Sequence, residues 1–339
     1  MRVAEVPEPG GDGGVRIRPL EVGVCGTDRE IAEGQFGVAP PGEDHLIIGH
    51  EFVGVVAEDG GGYAAGDVVT ATVRRSCGRC PACTGGSPDA CATGEYTERG
   101  ITARHGFASE VVVERPEHVV PVPASLGRLG VLAEPGSICA RAIRHATAIG
   151  SRQIWEPRRA LVLGAGAIGM LATYQLRLAG HDVWTAARGA PDTEKGRLAA
   201  ASGAEYVSTA DTSLGQLREA VGGFDLVIEA TGNADIMLAT VGLLRRNGVA
   251  CLLGVDGHRR SIALDSSVFG VDMVVQNRVV FGSVNAHRDD WRSAIAALEQ
   301  MRARWPDALE AMVGLRVAPD RFAEAFDFRG VKATLQFTA

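Results

Sequence analysis

Four cysteines lie close together in the first half of the chain. Cys77, Cys80, Cys83 and Cys91 are spaced C-x2-C-x2-C-x7-C. Four thiolates at this spacing can surround one tetrahedral Zn²⁺ and leave no position open for a substrate, so the pattern predicts a structural zinc site that stabilises a loop. An iron–sulfur cluster uses the same ligand type and stays open as an alternative, as do four unrelated buried thiols.

A second set of residues that suit a metal is dispersed along the chain. It consists of Cys25 in a C-G-T-D run, His50 and Glu51 in a G-H-E run, and Glu134 in an A-E-P run. A catalytic zinc needs about three protein ligands and leaves one position for water or substrate, and these side chains are of suitable types. Each of them also fits a structural role, as a buried thiol, a hydrogen-bonded histidine or a surface carboxylate. Their spacing alone does not join them into one site.

A glycine-rich loop at residues 164–169, GAGAIG, matches G-x-G-x-x-G. It follows the apolar run 161–163 and precedes a helical stretch, which is the context that a dinucleotide site requires. Gly164 permits the tight turn, Gly166 lets the backbone approach a pyrophosphate, and Gly169 allows the helix to pack closely on the strand. The free N–H groups at the start of the helix would bind the phosphates. An ordinary glycine-rich turn is the alternative.

The end of the next predicted strand indicates which cofactor binds. An NAD site usually has Asp or Glu about 20 residues beyond the loop, where it binds the ribose hydroxyls. Here the strand ends in the run T-A-A-R-G with no acidic residue, and Arg188 stands where a 2′-phosphate would arrive. The sequence therefore favours NADP over NAD, although an arginine at this position also suits a solvated surface.

Two patterns of predicted secondary structure must position these residues. Up to about residue 135, short β segments alternate with glycine- and proline-rich turns, and from about residue 160 apolar strands alternate with helices. Strands that are apolar on both faces and alternate with helices imply a doubly wound parallel sheet covered on both sides, so the predicted fold class is α/β with a β-rich first part. The predicted strands are 15–24, 47–57, 67–73, 108–122, 161–163, 183–187, 226–230, 249–253, 279–284 and 333–337, and the predicted helices are 167–179, 193–201, 214–221, 234–244, one that contains 291–301, and 322–328.

Composition sets further limits on function. The chain has 339 residues and a formal net charge of -7, which disfavours general binding to nucleic acid or to an anionic membrane. No stretch approaches the roughly 18 apolar residues of a membrane span, and the N-terminus lacks the apolar core of a secretory signal. A cytoplasmic protein with reduced cysteines is therefore expected.

Four motifs, in this order, resemble the zinc-dependent medium-chain alcohol dehydrogenases: the C-G-T-D run, the G-H-E run, the four-cysteine loop and the dinucleotide loop. Three further runs resemble the glucose dehydrogenase branch of that superfamily: CGTDRE at 25–30, TGEYTERGI at 93–101 and GSVN at 282–285. The resemblance implies a homo-oligomer, either a dimer or a tetramer. It also implies a GroES-like catalytic domain over 1–137, a Rossmann cofactor-binding domain over 138–285, and a C-terminal segment, 286–339, that returns to the catalytic domain.

The resemblance also implies roles for individual residues. Cys25, His50 and Glu134 correspond to ligands of a catalytic zinc, and Glu51 to a ligand or to a neighbour that exchanges with water. Thr27 resembles the hydroxyl that hands the substrate proton outward. His45 and Glu30 are candidates for the outward proton path, and Cys139 and Cys251 are interpreted as core thiols. The implied sugar contacts are Glu98 and Asn285, beside Thr27 and Glu134. The implied cofactor-binding residues are Gly164, Gly166, Ala167, Ile168, Gly169, Arg188, Thr231 and Asn285.

Some sugar-binding positions of that branch are changed here. An acidic contact falls at Ile138, an asparagine contact falls at Val73, and only one arginine of an NADP-binding pair is kept, at Arg188.

The predicted activity is therefore a zinc-dependent, NAD(P)-linked oxidation of a hydroxyl of a sugar or polyol, with two zinc ions per chain. A zinc ion would lower the pKa of the substrate hydroxyl, and hydride would pass to the nicotinamide. The alternatives are a biosynthetic dehydrogenase for a cyclitol, an amino sugar or another secondary alcohol, and a non-catalytic NADPH-binding protein.

Overall fold

The computed structural model describes residues 1–10, 13–257 and 260–338. The chain divides into two compact units. The first unit comprises Met1–Ser137, Asn285–Ala303 and Leu309–Ala339, and the second comprises Ile138–Val284 and Arg304–Ala308. The C-terminal part of the chain therefore returns to the first unit.

The strands of the described residues are between two and ten residues long. In chain order they are β1 Val15–Val24, β2 Glu51–Val56, β3 Val68–Ala71, β4 Arg74–Arg75, β5 Thr97–Arg99, β6 Ala103–Arg104, β7 Val112–Glu114, β8 Val119–Pro121, β9 Arg159–Leu163, β10 Asp182–Ala187, β11 Glu205–Ser208, β12 Phe224–Glu229, β13 Leu244–Leu252, β14 Val279–Gly282, β15 Val313–Val317 and β16 Lys332–Gln336.

The α-helices of the described residues are divided between the two units. In chain order they are α1 Gly26–Ala32, α2 Pro81–Thr84, α3 Ala133–Gly150, α4 Ala167–Leu178, α5 Glu194–Ala201, α6 Leu214–Val221, α7 Ala234–Leu243, α8 Arg288–Arg304, α9 Pro306–Ala311 and α10 Phe322–Asp327. None of the helices in the described part of the chain combines the length and the apolar character that crossing a membrane requires.

The main sheet of the first unit has the order β15-β16-β1-β2-β3-β8, and β7 also pairs with β1. The C-terminal strand β16 lies antiparallel to β1, with Val22 opposite Leu335. Side chains that alternate along β1 and its neighbours fill one core, in which Ile17 and Phe52 are fully buried. The tail of the chain therefore completes the sheet that carries the first predicted zinc ligand.

A small second sheet in the first unit has the order β4-β5-β6. The four-cysteine loop lies between β4 and β5, which pair antiparallel with Arg74 opposite Glu98. We call residues 77–91 the four-cysteine lobe.

The sheet of the second unit has the order β11-β10-β9-β12-β13-β14, and all of its described pairings are parallel. Renumbered by chain order, this is the 3-2-1-4-5-6 arrangement of a dinucleotide-binding fold. The prediction of a doubly wound parallel sheet is confirmed. Apolar residues from both strands and helices form its core, including Leu161 and Phe224.

The structure departs from the sequence-based elements where backbone geometry interrupts a run of β-formers. The predicted strand 47–57 begins only at Glu51, because Gly49 has a φ of +91° and cannot continue an extended strand. The predicted strand 108–122 is two strands, β7 and β8, separated by a 3-10 turn at Pro116–His118. Proline has no N–H for a sheet and has the φ of a turn. The short strand β11 and the helix α1 had no prediction.

Candidate active site and metal centres

A turn from strand to helix fixes the position of Cys25. Strand β1 ends at Val24, and α1 begins at Gly26, so Cys25 occupies the N-terminal capping position in an extended conformation. The backbone N–H of Cys25 donates to Asp28 Oδ2 at 2.9 Å. Because a carboxylate at this place satisfies a free N–H and complements the helix dipole, the turn is held in one geometry.

Two glycines make room for His50 and Glu51. Gly49 lies in the left-handed region, and a Cβ there would lie 2.6 Å from Val22 Cγ1, so no other residue fits this turn. Gly23 lies opposite Glu51 in the β1–β2 pairing, and a Cβ on it would overlap the Glu51 carboxylate. The local sequence thus lets a carboxylate lie over strand β1 beside Cys25.

Three of the predicted ligands converge. Cys25 Sγ lies 3.2 Å from His50 Nε2, and the ligand atoms of Cys25, His50 and Glu51 all lie within 4.8 Å of one another. His50 and Glu51 are 6% and 2% exposed. We call these three residues the cysteine–histidine cluster.

Asp28 lies behind the histidine of this cluster. Its Oδ1 is 3.6 Å from His50 Nδ1, and these two buried atoms have no hydrogen-bond partner in the described structure. A carboxylate on the far side of a histidine orients the ring and fixes which nitrogen faces a metal. Asp28 belongs to the C-G-T-D motif but had no predicted role; its signal was its place three residues after a cysteine at a helix start.

Glu134 is buried at the start of α3 but lies outside the group of ligand atoms within 4.8 Å of one another. Burial raises the pKa of Glu134 to about 7, and the neighbouring His50 charge opposes that rise. In turn, burial alone would lower the pKa of His50, but the charges of Cys25, Asp28 and Glu134 raise it well above the usual value. The role of Glu134 as the third zinc ligand stays a prediction.

Lys332 is a buried lysine that the sequence analysis missed. It lies on β16, is 2% exposed, and donates to Glu51 Oε2 and, at 3.5 Å, to the carbonyl of Val24. Burial alone would lower the pKa of this ammonium group, but the Glu51 and Cys25 charges raise it. Its signal was a single charged residue at the start of the terminal strand, K-A-T-L-Q. The ion pair holds the Glu51 carboxylate beside the thiol and imidazole.

The donor set fits Zn²⁺. One thiol, one imidazole nitrogen and nearby carboxylates are typical ligands of a catalytic zinc with an open position. Burial, followed by the Asp28 charge, raises the pKa of Cys25, so this thiol loses its proton readily only when a cation takes its place. The convergence of these largely buried atoms within the first unit therefore suits a metal better than a metal-free core.

The four-cysteine lobe presents a different ligand set. All four sulfurs lie within 4.8 Å of one another, with 3.4 Å between Cys80 and Cys83 and 3.8 Å between Cys77 and Cys83. A tetrahedral Zn²⁺ with bonds of about 2.3 Å would hold its sulfurs about 3.8 Å apart. The four-cysteine set therefore fits a zinc ion with every position filled.

His45 lies apart from the cysteine–histidine cluster. It is exposed, stacks on His105 with 5.0 Å between ring centroids, and lies 3.7 Å from Glu43. The Ile47 N–H donates to His105 Nδ1 at 3.1 Å, so the His105 proton is on Nε2 and is donated to Glu43. These side chains form a hydrogen-bonded group, and His45 as a proton carrier stays a prediction.

The candidate sugar contacts lie in the first unit. Glu98 Oε1 accepts from Arg74 Nε at 3.0 Å, and Asn285 Nδ2 donates to the carbonyl of Asp89 at 3.3 Å. Thr27 is half-buried in the first turn of α1. Arg74, which neighbours a buried ion-pair network, had no predicted role.

The glycine-rich loop of the second unit links β9 to α4. Gly164 has a φ of +103°, and a Cβ there would lie 2.9 Å from the carbonyl oxygen of Ala230. A Cβ on Gly169 would overlap the carbonyl oxygen of Gly164, whereas the space around Gly166 is open. Ala167 and Ile168 form the first turn of α4, so their N–H groups face the end of the helix where an anion binds.

Two more cofactor candidates lie at the carboxyl edge of the same sheet. Arg188 is exposed directly after β10. The Thr231 N–H donates at 2.6 Å to the buried carboxylate of Glu229, which ends β12. Ligands of doubly wound sheets bind outside this edge, where the strand order reverses.

Comparisons with known proteins agree with this geometry. Residues 11–124 match the model of the alcohol dehydrogenase GroES-like domain, and residues 127–337 match that of the glucose dehydrogenase C-terminus. The glucose 1-dehydrogenase of Methanocella arvoryzae is 43% identical, with 100% of this chain and 96% of that protein covered. Glucose 1-dehydrogenase 1 of Caldivirga maquilingensis is 40% identical, with 97% and 91% covered.

A solved structure resembles the whole chain. The structure of Haloferax mediterranei glucose dehydrogenase in complex with NADP, Zn and gluconolactone has a TM-score of 0.91 and 32% identity, and covers 99% of this chain and 96% of that one. The family models together match both halves of the chain, and the predicted GroES-like and Rossmann fold class is confirmed. The chain belongs to the glucose dehydrogenase branch of the zinc-dependent medium-chain alcohol dehydrogenases.

Proposed function

We propose that this chain oxidises glucose at the C1 hydroxyl to gluconolactone and transfers the hydride to NADP. The observation that carries the proposal is the convergence of the Cys25, His50 and Glu51 ligand atoms within 4.8 Å, in a chain 43% identical to a glucose 1-dehydrogenase. Carbon C1 loses a hydride to the nicotinamide, and the hydroxyl loses a proton. Atoms and electrons therefore balance without a further reactant.

The chain's own residues would hold a zinc ion in the first unit. Cys25, His50 and Glu134 are the proposed ligands, and Glu51, held by Lys332, is the neighbour that exchanges with water. When bound, zinc supplies a Lewis acid that stabilises negative charge on the substrate oxygen. Two zinc ions per chain are proposed, the second in the four-cysteine lobe.

Proton removal is assigned to Thr27. Its hydroxyl can accept one proton while it donates another, as a relay requires. The proposed path continues to solvent through His45 or Glu30. Glu98 and Asn285 are the proposed sugar-binding residues, because both offer polar atoms that suit hydroxyl groups.

The second unit is proposed to bind the cofactor. The Gly164–Gly169 turn and the N-terminus of α4 would bind the pyrophosphate, with Thr231 nearby at the same sheet edge. The guanidinium of Arg188 would bind the 2′-phosphate, since a planar donor pair suits phosphate oxygens. NADP is therefore proposed as the preferred cofactor.

A substrate screen tests the activity. The zinc-loaded protein is mixed with NADP or NAD and with aldoses, cyclitols or amino sugars, and formation of reduced nicotinamide is followed by absorbance. Glucose with NADP should give the highest kcat/KM, and metal analysis should find two zinc ions per chain. If a cyclitol is oxidised and glucose is not, the cyclitol is the substrate instead of glucose. If no alcohol is oxidised, the proposal that the chain is a dehydrogenase is wrong.

Replacing Arg188 tests the cofactor assignment. Arg188→Ala should raise KM for NADP by about tenfold or more and leave KM for NAD nearly unchanged, because only the 2′-phosphate loses a charged partner. Arg197, which is also exposed on the second unit, provides a matched control as Arg197→Ala. Equal effects on the two cofactors would remove Arg188 from the phosphate site.

Association and location are also proposed. Strand β14 ends the parallel sheet, and Val274 and Val275, 68% and 59% exposed, precede it. An edge strand beside exposed apolar residues favours association with a second copy, as a dimer or tetramer. Light scattering after size-exclusion chromatography measures the number of chains. A cytoplasmic location is proposed because all seven cysteines are free.

A further inference from the structure

Arg74 and Glu98 lie directly opposite each other in the β4–β5 pair. Both Nε and Nη2 of Arg74 lie 3.0 Å from Oε1 of Glu98. Side chains directly opposite on an antiparallel pair are held together by the strands themselves. One carboxylate oxygen is therefore fixed by the guanidinium.

The same guanidinium reaches the four-cysteine lobe. Arg74 Nη1 donates to the carbonyl oxygen of Asp89 at 2.8 Å, and that oxygen also accepts from Asn285 Nδ2 at 3.3 Å. Asp89 lies two residues before Cys91, and His287 makes a second contact with the lobe, 3.0 Å from the carbonyl of Gly86. A single backbone oxygen thus joins the two proposed sugar-binding residues through Arg74.

The Arg74 side chain is held in place on all sides. It is 8% exposed, and its guanidinium lies over the ring of Tyr96 at 3.9 Å from the centroid. A cation stacked on an aromatic face and bonded through three nitrogens has little freedom to rotate. By contrast, Oε2 of Glu98 has no hydrogen-bond partner among the described residues.

We propose that Arg74 is a positioning residue for the substrate: it holds Glu98 by Oε1, leaves Oε2 for a sugar hydroxyl, and links Glu98 to Asn285 through the Asp89 carbonyl. This inference rests on the proposed function. The four-cysteine lobe would then also support substrate binding, because its Asp89 carbonyl accepts from both Arg74 and Asn285.

The opposite face of the same strand pair anchors the fold independently. Side chains alternate along a strand, so Arg75 and Arg99 point away from Arg74 and Glu98. Both of these arginines pair with the buried carboxylate of Glu114. We therefore expect the β4–β5 pair to survive the loss of the Arg74 charge.

Kinetics of Arg74→Met test the proposal. The variant should raise KM for glucose at least about tenfold, change kcat by less than about threefold, and leave KM for NADP within about twofold, because sugar binding is weakened equally in the ground state and in the transition state. Arg79→Met is the matched control, since Arg79 lies nearby in the four-cysteine lobe and its ion pair among the described residues is with the exposed Glu95. Arg74→Lys should restore part of the lost affinity for glucose, because lysine keeps one charged donor.

A double-mutant cycle separates positioning from general destabilisation. If Arg74 acts through Glu98, Arg74→Met should add less than about twofold to the KM of Glu98→Gln, whereas two independent contributions would multiply. Multiplying effects, or a KM for glucose in Arg74→Met equal to that of the wild type, would overturn the proposal.

Two further results, a variant that does not fold and a wild-type protein that does not oxidise glucose, can also be interpreted. If Arg74→Met does not fold, Arg74→Lys decides: a raised KM for glucose with unchanged KM for NADP supports positioning, and unchanged kinetics overturn it. If the wild-type protein does not oxidise glucose, the proposed function fails first, before any Arg74 variant is compared.

Discussion

The four-cysteine lobe takes all its candidate ligands from residues 77–91, whereas the cysteine–histidine cluster and Glu134 come from distant parts of the chain. The sulfurs of the lobe lie near the surface, and three of the four cysteines are half-buried. The candidate ligands Cys25, His50 and Glu51 are half-buried or buried and have charged neighbours. The two regions thus differ both in the types of their candidate ligands and in their burial.

This difference separates stabilising from catalytic chemistry. Four identical thiolates fill every position around a zinc ion, so the lobe can stabilise a loop but has no place for a substrate. The mixed cluster has fewer protein ligands and is buried, so each charge there must be balanced by another, as Asp28 balances His50 and Lys332 balances Glu51. Because the second region is buried, we expect substitutions that change a ligand or a charge there to have the larger effects on activity.

The largest expected effect comes from removing a ligand of the cysteine–histidine cluster. Cys25→Ser should lower kcat/KM for glucose by more than about 100-fold, beyond the usual cost of disturbing a residue behind a metal ligand. Cofactor binding, measured by fluorescence titration with NADPH, should stay unchanged. Retained activity would show that Cys25 holds no catalytic metal.

Next comes the residue behind the histidine. Asp28→Asn should weaken zinc binding and lower activity by about 10- to 100-fold, because the neutral amide orients the His50 ring less strongly. Asparagine still offers an oxygen to the Cys25 N–H, so the start of α1 should be kept. Competition with a chelator measures the zinc affinity, and an affinity equal to that of the wild type would exclude this role.

Breaking the four-cysteine lobe should have a smaller effect on turnover. Cys91→Ser should remove one zinc ion, lower Tm by about 5–10 °C, and raise KM for glucose more than it lowers kcat. Calorimetry and steady-state kinetics measure these quantities. A loss of kcat as large as that of Cys25→Ser would abolish the distinction between the two regions.

The smallest effect on turnover is expected at the anchor beneath the lobe. Burial alone would raise the pKa of Glu114, but the Arg75 and Arg99 charges lower it to about 2. Since this pKa lies below the value of 4.5 for a free carboxyl, the stabilisation is complete above about pH 4.5 and is lost as the pH falls towards 2.

Glu114→Gln should therefore be less stable than the wild type near neutral pH, by about 3–5 kcal/mol, with the gap closing in acid. Denaturant unfolding at a series of pH values measures the gap. Zinc loss in acid affects both proteins, so their difference isolates Glu114. A gap that does not change with pH would mean that the ion pairs do not supply this stability.

Much of the fold could be predicted because its signals are local. The apolar runs at β9, β10, β12 and β13 and the helices between them follow from residue type and period alone. The breaks at Gly49 and Pro116 depend on single backbone angles and on a missing N–H, so a count of β-forming residues passes over them. The family resemblance supplied the prediction that Cys25, His50 and Glu134 bind one metal, which their spacing could not supply and which stays a prediction.

Residues with supporting roles were the hardest to predict. Lys332 meets Glu51 only because the terminal strand β16 returns to β1, and Arg74 meets Glu98 only because β4 pairs with β5. A lysine or arginine in isolation suggests a solvated surface, and nothing in its neighbours along the chain indicates a buried partner.

The amino-acid sequence by itself determined the four-cysteine lobe and the glycine-rich loop, because each depends on residues a few positions apart, and it indicated the parallel sheet through the alternation of apolar strands with helices. Only the tertiary structure decided which acidic and basic side chains share the pocket of Cys25 and His50, and which oxygen of Glu98 is already taken. The physical reason is that charge pairing in a buried site depends on distance in space, and the pairing of β1 with β16 sets that distance between residues far apart in the chain.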